Sequence, residues 1–145
     1  MIEYIKHNKN LLSIIIKNKY KADGIHFFTD DDLSQQLAFM KHPKGKTIQP
    51  HVHNPVKREV HYTQEVLFIK KGKLQVDFYS DKQEYLESRI LEAGDVILLI
   101  QGGHGFKALE ELEMFEVKQG PYAGDSDKTR FESNLPNDLD YGNSE

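Results

Sequence analysis

The chain is 145 residues long, 38% hydrophobic and 29% charged, with a formal net charge of −4 and no cysteine. That length suits one domain with a substantial core. The lack of cysteine excludes disulfides, thiolate catalysis and cysteine-type zinc sites, and the acidic balance, with no Lys/Arg run, argues against a nucleic-acid partner.

Residues 1–28 carry five lysines against Glu3 and Asp23. Within them the Ile-rich run 11–16 reads as a strand, residues 20–24 as a turn and residues 25–29 as a second strand. The first of these runs is far shorter than the roughly 20 apolar residues that span a membrane. It is flanked by Lys and Asn without a signal pattern, so a soluble cytoplasmic protein is expected. Thr29-Asp30-Asp31-Asp32 suits the cap of one helical turn, since these side chains accept from free backbone N–H groups. A carboxylate metal site is the alternative there, and a solvated turn is the commoner outcome.

Residues 36–40 are expected to be a strand, after which His42-Pro43-Lys44-Gly45 turns the chain. Next comes His51-x-His53. If this segment is extended, the two imidazoles project from one face, because side chains at i and i+2 share a face in a strand, and together they can chelate one ion. Pro50 favours extended backbone at Gln49 and a rim position. The loop 54–64 follows, carrying Lys57, Arg58, Glu59 and His61. Arg58 and Lys57 are candidates for an anionic substrate, with two solvated charges as the plainer alternative. Were residues 60–69 one continuous strand, His61 would share a face with Glu65. It would then be a ligand, a general acid/base or a hydrogen-bonded structural histidine.

Glu65 opens VLFIKKG, a strand ending in a turn at Gly72. Residues 74–79 alternate as a half-buried strand does, 85–91 return to the turn Ala93-Gly94-Asp95, and 96–100 form a buried run. His104 lies in the Gly-rich stretch after that run. Residues 106–109 and 112–118 suggest a hairpin turning at Glu110-Glu111. From Gly120 the character changes: residues 121–145 hold six acidic side chains against Lys128 and Arg130. The part up to Phe131 is expected to pack on the body or on a neighbouring subunit, and the chain beyond about 132 to be mobile. His7, His26 and His42 are read as ordinary structural or surface histidines.

Gly45, five residues, His51-x-His53, then Glu65, six residues and Gly72 resembles the first motif of the cupin superfamily. Gly94-Asp95, the apolar run and His104 resemble the second. The gap of eleven residues between His53 and Glu65 is longer than the usual motif, and the second motif lacks its Pro and has Ala108 where Asn is usual. The resemblance implies an all-β double-stranded β-helix, a cupin jelly-roll barrel over residues 29–120, with an N-terminal strand extension (1–28) and a polar C-terminal extension (121–145). It further implies that His51, His53, Glu65 and His104 hold a divalent metal in the barrel mouth. Three imidazoles and a carboxylate suit Fe(II), Mn(II), Ni(II), Zn(II) or Cu(II) alike.

The chain is also similar to small single-domain bacterial cupins found among surface-polysaccharide and nucleotide-sugar genes. The expectation is a metal-dependent enzyme acting on a small anionic or sugar-derived substrate, an isomerase or epimerase ahead of a dioxygenase, with His61 and Arg58 handling proton transfer and substrate charge. A non-catalytic ligand-binding or sensing module and a metal-free enzyme like the sugar-nucleotide ketoisomerases are the alternatives. A homodimer is expected from the same resemblance, with residues 1–28 as the contact.

Overall fold

The computed structural model describes residues 1–136; the tail expected to be mobile lies mostly outside the described residues. Two compact units are present, one formed by Met1–Tyr20 together with the chain from Thr63 onward, the other by Lys21–Tyr62. The described structure is nearly all β. Its strands are β1 (Ile2–His7), β2 (Asn10–Ile16), β3 (Gly24–Phe27), β4 (Ala38–Lys41), β5 (Glu65–Lys71), β6 (Lys73–Tyr79), β7 (Tyr85–Glu92), β8 (Val96–Leu99), β9 (Gly103–Ala108) and β10 (Glu113–Lys118), followed by a short 3-10 helix, Gly124–Asp127. Among the described residues no helix is long and apolar enough to cross a membrane.

The first unit is a pair of antiparallel sheets, a five-stranded one in the order β1-β2-β8-β5-β10 and a three-stranded one in the order β7-β6-β9. Alternation along each strand sends one set of side chains between the sheets. Ile5 and Ile15, Leu67 and Ile69, Ile97 and Leu99 come from the first sheet, and Leu74, Val76, Phe78 and Leu91 from the second, all nearly inaccessible to water. Each such side chain removed from water contributes about 1.5–3 kcal/mol. Ser13, fully buried in β2, donates its hydroxyl to the Leu98 carbonyl at 2.8 Å, so its polarity is satisfied.

Two turns let the chain pass between the sheets. Gly72 joins β5 to β6 with φ +91°, and a Cβ there would lie 2.1 Å from the Glu111 carbonyl oxygen. Gly94, with φ +90°, precedes Asp95, whose carboxylate is 2% accessible by residue and accepts from three directions. The Lys17 ammonium lies 2.6 Å from it, the Asn18 amide 2.8 Å and the Glu92 amide 2.7 Å. The backbone joins in: Ile69 N–H donates to the Asp95 carbonyl and Gly94 N–H to that of Ile69. One residue thereby ties the ends of β2 and β7 to the starts of β8 and to the middle of the core strand β5.

The second unit holds the hairpin β3–β4, with Ile25 opposite Met40. The connection folds on Thr29 and Gln36: the Thr29 hydroxyl donates to Gln36 Oε1 at 2.7 Å, and the Gln36 amide donates to the carbonyls of Asp30 and Leu33. Asp30, Asp31 and Asp32 are exposed in this turn, and no helical turn forms.

Several expectations are corrected. Residues 42–64 contain no strand, so the HxH segment joins no sheet; Pro43, Pro50 and Pro55 withhold ladder donors and no alternating apolar residue holds the segment on a core. The strand carrying Glu65 begins at Glu65 itself, which removes the shared face with His61. β9 and β10 are not a hairpin: β9 pairs with β6 and β10 with β5, in different sheets. β1, unforeseen, forms a hairpin with β2 through Asn8 at φ 56°. No closed barrel occurs among the described residues; the strands form open sheets.

Replacing Asp95 by Ala leaves two backbone amides without their acceptor and the Lys17 ammonium with only the Ile90 carbonyl, at 3.3 Å. Urea denaturation of Asp95→Ala is expected to show a loss of about 3 kcal/mol. A loss under about 1 kcal/mol would mean the strands are held without it.

Candidate functional site

Glu65 and His104 are brought together by the sandwich. Glu65 is the first residue of β5, pairs with Leu99 on one side and Lys118 on the other, and points between the sheets with Leu67 and Ile69. His104 is the second residue of β9, opposite Phe78 of β6, and so also faces inward. The His104 Nε2 lies 3.6 Å from Glu65 Oε2; the carboxylate side chain is 10% exposed and the imidazole 30%. The pair therefore sits at the rim of the core, with the carboxylate beneath and the ring toward solvent. Phe106, two residues along β9, stacks on the imidazole with centroids 5.2 Å apart.

The His104 imidazole beside it holds the Glu65 carboxyl below its ordinary value. Burial opposes that shift, while the charges of His104, Lys118 and Lys128 reinforce it. Lys118 reaches the site by cross-strand pairing. Lys128 follows the 3-10 helix, whose segment is anchored by the Thr63 hydroxyl donating to Asp127. Further along, Phe131 packs edge-on against Tyr79, and the Tyr79 and Ser133 hydroxyls are 2.8 Å apart. Phe131 and Ser133 thus pack on the three-stranded sheet, while Tyr122, the other aromatic residue of the segment, is exposed.

The other expected ligands lie in the second unit. His51 and His53 are exposed, their ring centroids 5.3 Å apart and nearly perpendicular. His51 Nδ1 is 2.9 Å from the Gln49 carbonyl; donation there leaves Nε2 with a free lone pair, the form in which imidazole binds metals. His61 is 73% exposed and 3.9 Å from Glu59, and Arg58 is exposed on the same segment. Among the described residues, no three His, Cys, Asp or Glu side chains gather closely enough to hold a metal ion. The donor types suit a divalent cation, but they come as two pairs in two units.

Lys118 and Lys128 were not singled out from the sequence. The parity of Lys118 within residues 112–118 shows only that it shares a face with Met114 and Glu116; its place beside Glu65 is set by the β5–β10 register.

The depressed Glu65 value gives a pH dependence of known sign. The stabilisation is complete above the unfolded carboxyl value, 4.5, and is lost as pH falls through the lower folded value. In His104→Gln the strongest cause is gone, so the Glu65 carboxyl is expected to titrate higher, and part of this acid-side stability to disappear. Carboxyl NMR titration of wild type and variant measures it; unchanged titration would mean that the imidazole does not act on Glu65.

Comparisons with protein-family models, with curated proteins and with solved structures find no match to this chain.

Proposed function

We propose that this chain is a cupin-like enzyme that moves a proton on a small anionic, sugar-derived substrate, an isomerase or epimerase, with the Glu65–His104 pair as its proton-transfer machinery. The observation that carries this reading is the unequal exposure of two groups 3.6 Å apart. The open imidazole meets the substrate, and the carboxylate beneath orients the ring and balances the imidazolium charge. The jelly-roll assignment belongs to the same proposal. In its support, every connection from β5 onward except β6–β7 passes from one sheet to the other.

Neutral His104 takes a proton from a carbon beside a carbonyl. The C–H electron pair becomes the new C=C bond and the carbonyl π pair moves to oxygen, giving an enolate. His104 passes the abstracted proton to water and returns to the neutral imidazole; a proton from solvent, added to the opposite face of the same carbon, completes an epimerisation, and added to the neighbouring carbon after proton exchange between the enediol oxygens it completes a ketone shift. Lys118 and Lys128 place positive charge at the site, where it favours the enolate and an anionic substituent such as a phosphate. His61 and Arg58, exposed on a segment without regular structure, are not needed for this step.

The test is deuterium uptake from D2O into a panel of sugar phosphates and nucleotide-linked keto sugars, followed by NMR. Wild type is expected to catalyse exchange, His104→Gln to lose about 10²–10⁴-fold, and Lys118→Ala to raise KM more than it lowers kcat. Exchange unaffected by His104→Gln would sink the reading. Binding without exchange would favour the ligand-binding module.

Metal dependence is a second reading, favoured by the paired imidazoles of His51 and His53. The chemistry such an ion would supply is polarisation of a substrate oxygen. Elemental analysis of protein purified without a metal-affinity column decides it. Stoichiometric metal lost in both His51→Ala and Glu65→Ala would establish the four-ligand set. Loss in His51→Ala alone would confine the ion to the imidazole pair, and no metal in the wild type would remove this reading.

A further inference from the structure

The two ends of the five-stranded sheet are unequal. β1 closes one end half-buried and is broken by a register shift at Ile5/Lys6, a feature that discourages edge-to-edge pairing. β10 closes the other end. All its residues but Lys118 are exposed, and from Met114 to Lys118 its register with β5 is regular. It is open on both faces: Met114 and Glu116 on the inner side, Phe115 at 61% and Val117 at 62% exposure on the outer. Phe68 of β5, also exposed, stacks on Phe115 at a centroid distance of 6.5 Å, and the Lys70 ammonium lies 5.8 Å from the Phe115 ring centre.

The backbone of β10 has an outward-facing row as well. Gln119 N–H donates to the Gln64 carbonyl at 2.9 Å. With the strand register, this fixes the antiparallel alternation: Phe115 and Val117 direct their amide and carbonyl groups to β5, while Met114, Glu116 and Lys118 turn theirs to the open edge. An edge of this kind is a template for another strand.

We propose that a second copy of this chain pairs antiparallel with β10 about a two-fold axis at Phe115, joining two five-stranded sheets into one. A two-fold axis relates a strand to itself only when one residue faces its own symmetry mate, since residues directly opposite must share a face of the sheet. The registers that pair most of β10 through its free groups centre on Phe115 or on Glu116. Centring on Glu116 sets two carboxylates directly opposite, which is destabilising. Centring on Phe115 sets each Glu116 opposite Met114 of the copy, and brings the two Phe115 rings together as a non-hydrogen-bonded pair, the closer of the two kinds. The Phe68–Phe115 stack then extends to four rings across the axis. The strand is thus self-complementary in hydrogen bonding and apolar contact, with no like charges directly opposite, and this favours a second copy over an unrelated partner.

The experiment uses the full chain in analytical ultracentrifugation at tens of micromolar, with single-cysteine crosslinking, made clean by the absence of native cysteine. Wild type is expected to sediment as a dimer. Phe115→Glu, with unchanged circular dichroism, should weaken association at least about tenfold. Under oxidation Phe115→Cys should form a disulfide-linked dimer, because a non-hydrogen-bonded self-pair has Cα atoms about 4.5 Å apart, within the range a disulfide spans. Glu116→Cys should not. A monomeric wild type, a dimer indifferent to Phe115→Glu, or crosslinking at Tyr4→Cys on β1 in place of Phe115→Cys would overturn the proposal. None of these outcomes depends on the catalytic reading.

Discussion

The buried carboxylate of Asp95 is the constraint on which the first unit depends. It ends β2 through Lys17 and Asn18, ends β7 through the Glu92 amide, and by its backbone sets the start of β8 against β5. A charge in this position is costly to bury alone, and here every lone-pair direction in use meets a cation or an N–H donor. Gly94 beside it is as constrained: its positive φ makes the turn, and the Asn18 side chain occupies the space a Cβ would take. With that corner fixed, the registers of β2, β8 and β5 follow, and the inward faces of both sheets meet over the core.

The site is a consequence of those registers. Glu65 stands opposite Leu99 and His104 opposite Phe78, so the two polar side chains end the apolar rows of two different sheets at the same rim. A carboxylate there is stabilised as the anion by the imidazole and two lysines, despite burial. The fold therefore keeps a charged group at the edge of a hydrophobic interior, where a low dielectric strengthens its interactions with neighbouring charges. The segment from Gly120 to Pro136 contributes Lys128 to this field and is tied down by Thr63, Tyr79 and Tyr85.

Much of this was legible in the sequence because burial in a sheet has a period of two. The alternation in residues 74–79 and the apolar run after Gly94-Asp95 gave strands within a residue or two of β6 and β8. Glu65 and His104 were both singled out before any geometry, on their motif context. The HxH segment joins no sheet for a reason also written in the chain: between Lys41 and Glu65 stand three prolines and no alternating apolar set, so nothing supplies a ladder or a core face. His61 lost its argument with that strand.

What the sequence determined by itself was local: an all-β chain without cysteine chemistry or a membrane-spanning helix, its main core strands, its glycine corners and the residue types available for chemistry. Which strands became neighbours was decided only in the tertiary structure. β9 and β10, adjacent in the chain and hairpin-like in pattern, pair in different sheets, and Lys118 meets Glu65 across 53 positions of sequence. The physical reason is that alternation specifies a strand's buried face but not its partner. Partner choice depends on the summed packing of two sheets and on corners such as Asp95 that hold distant strand ends in register.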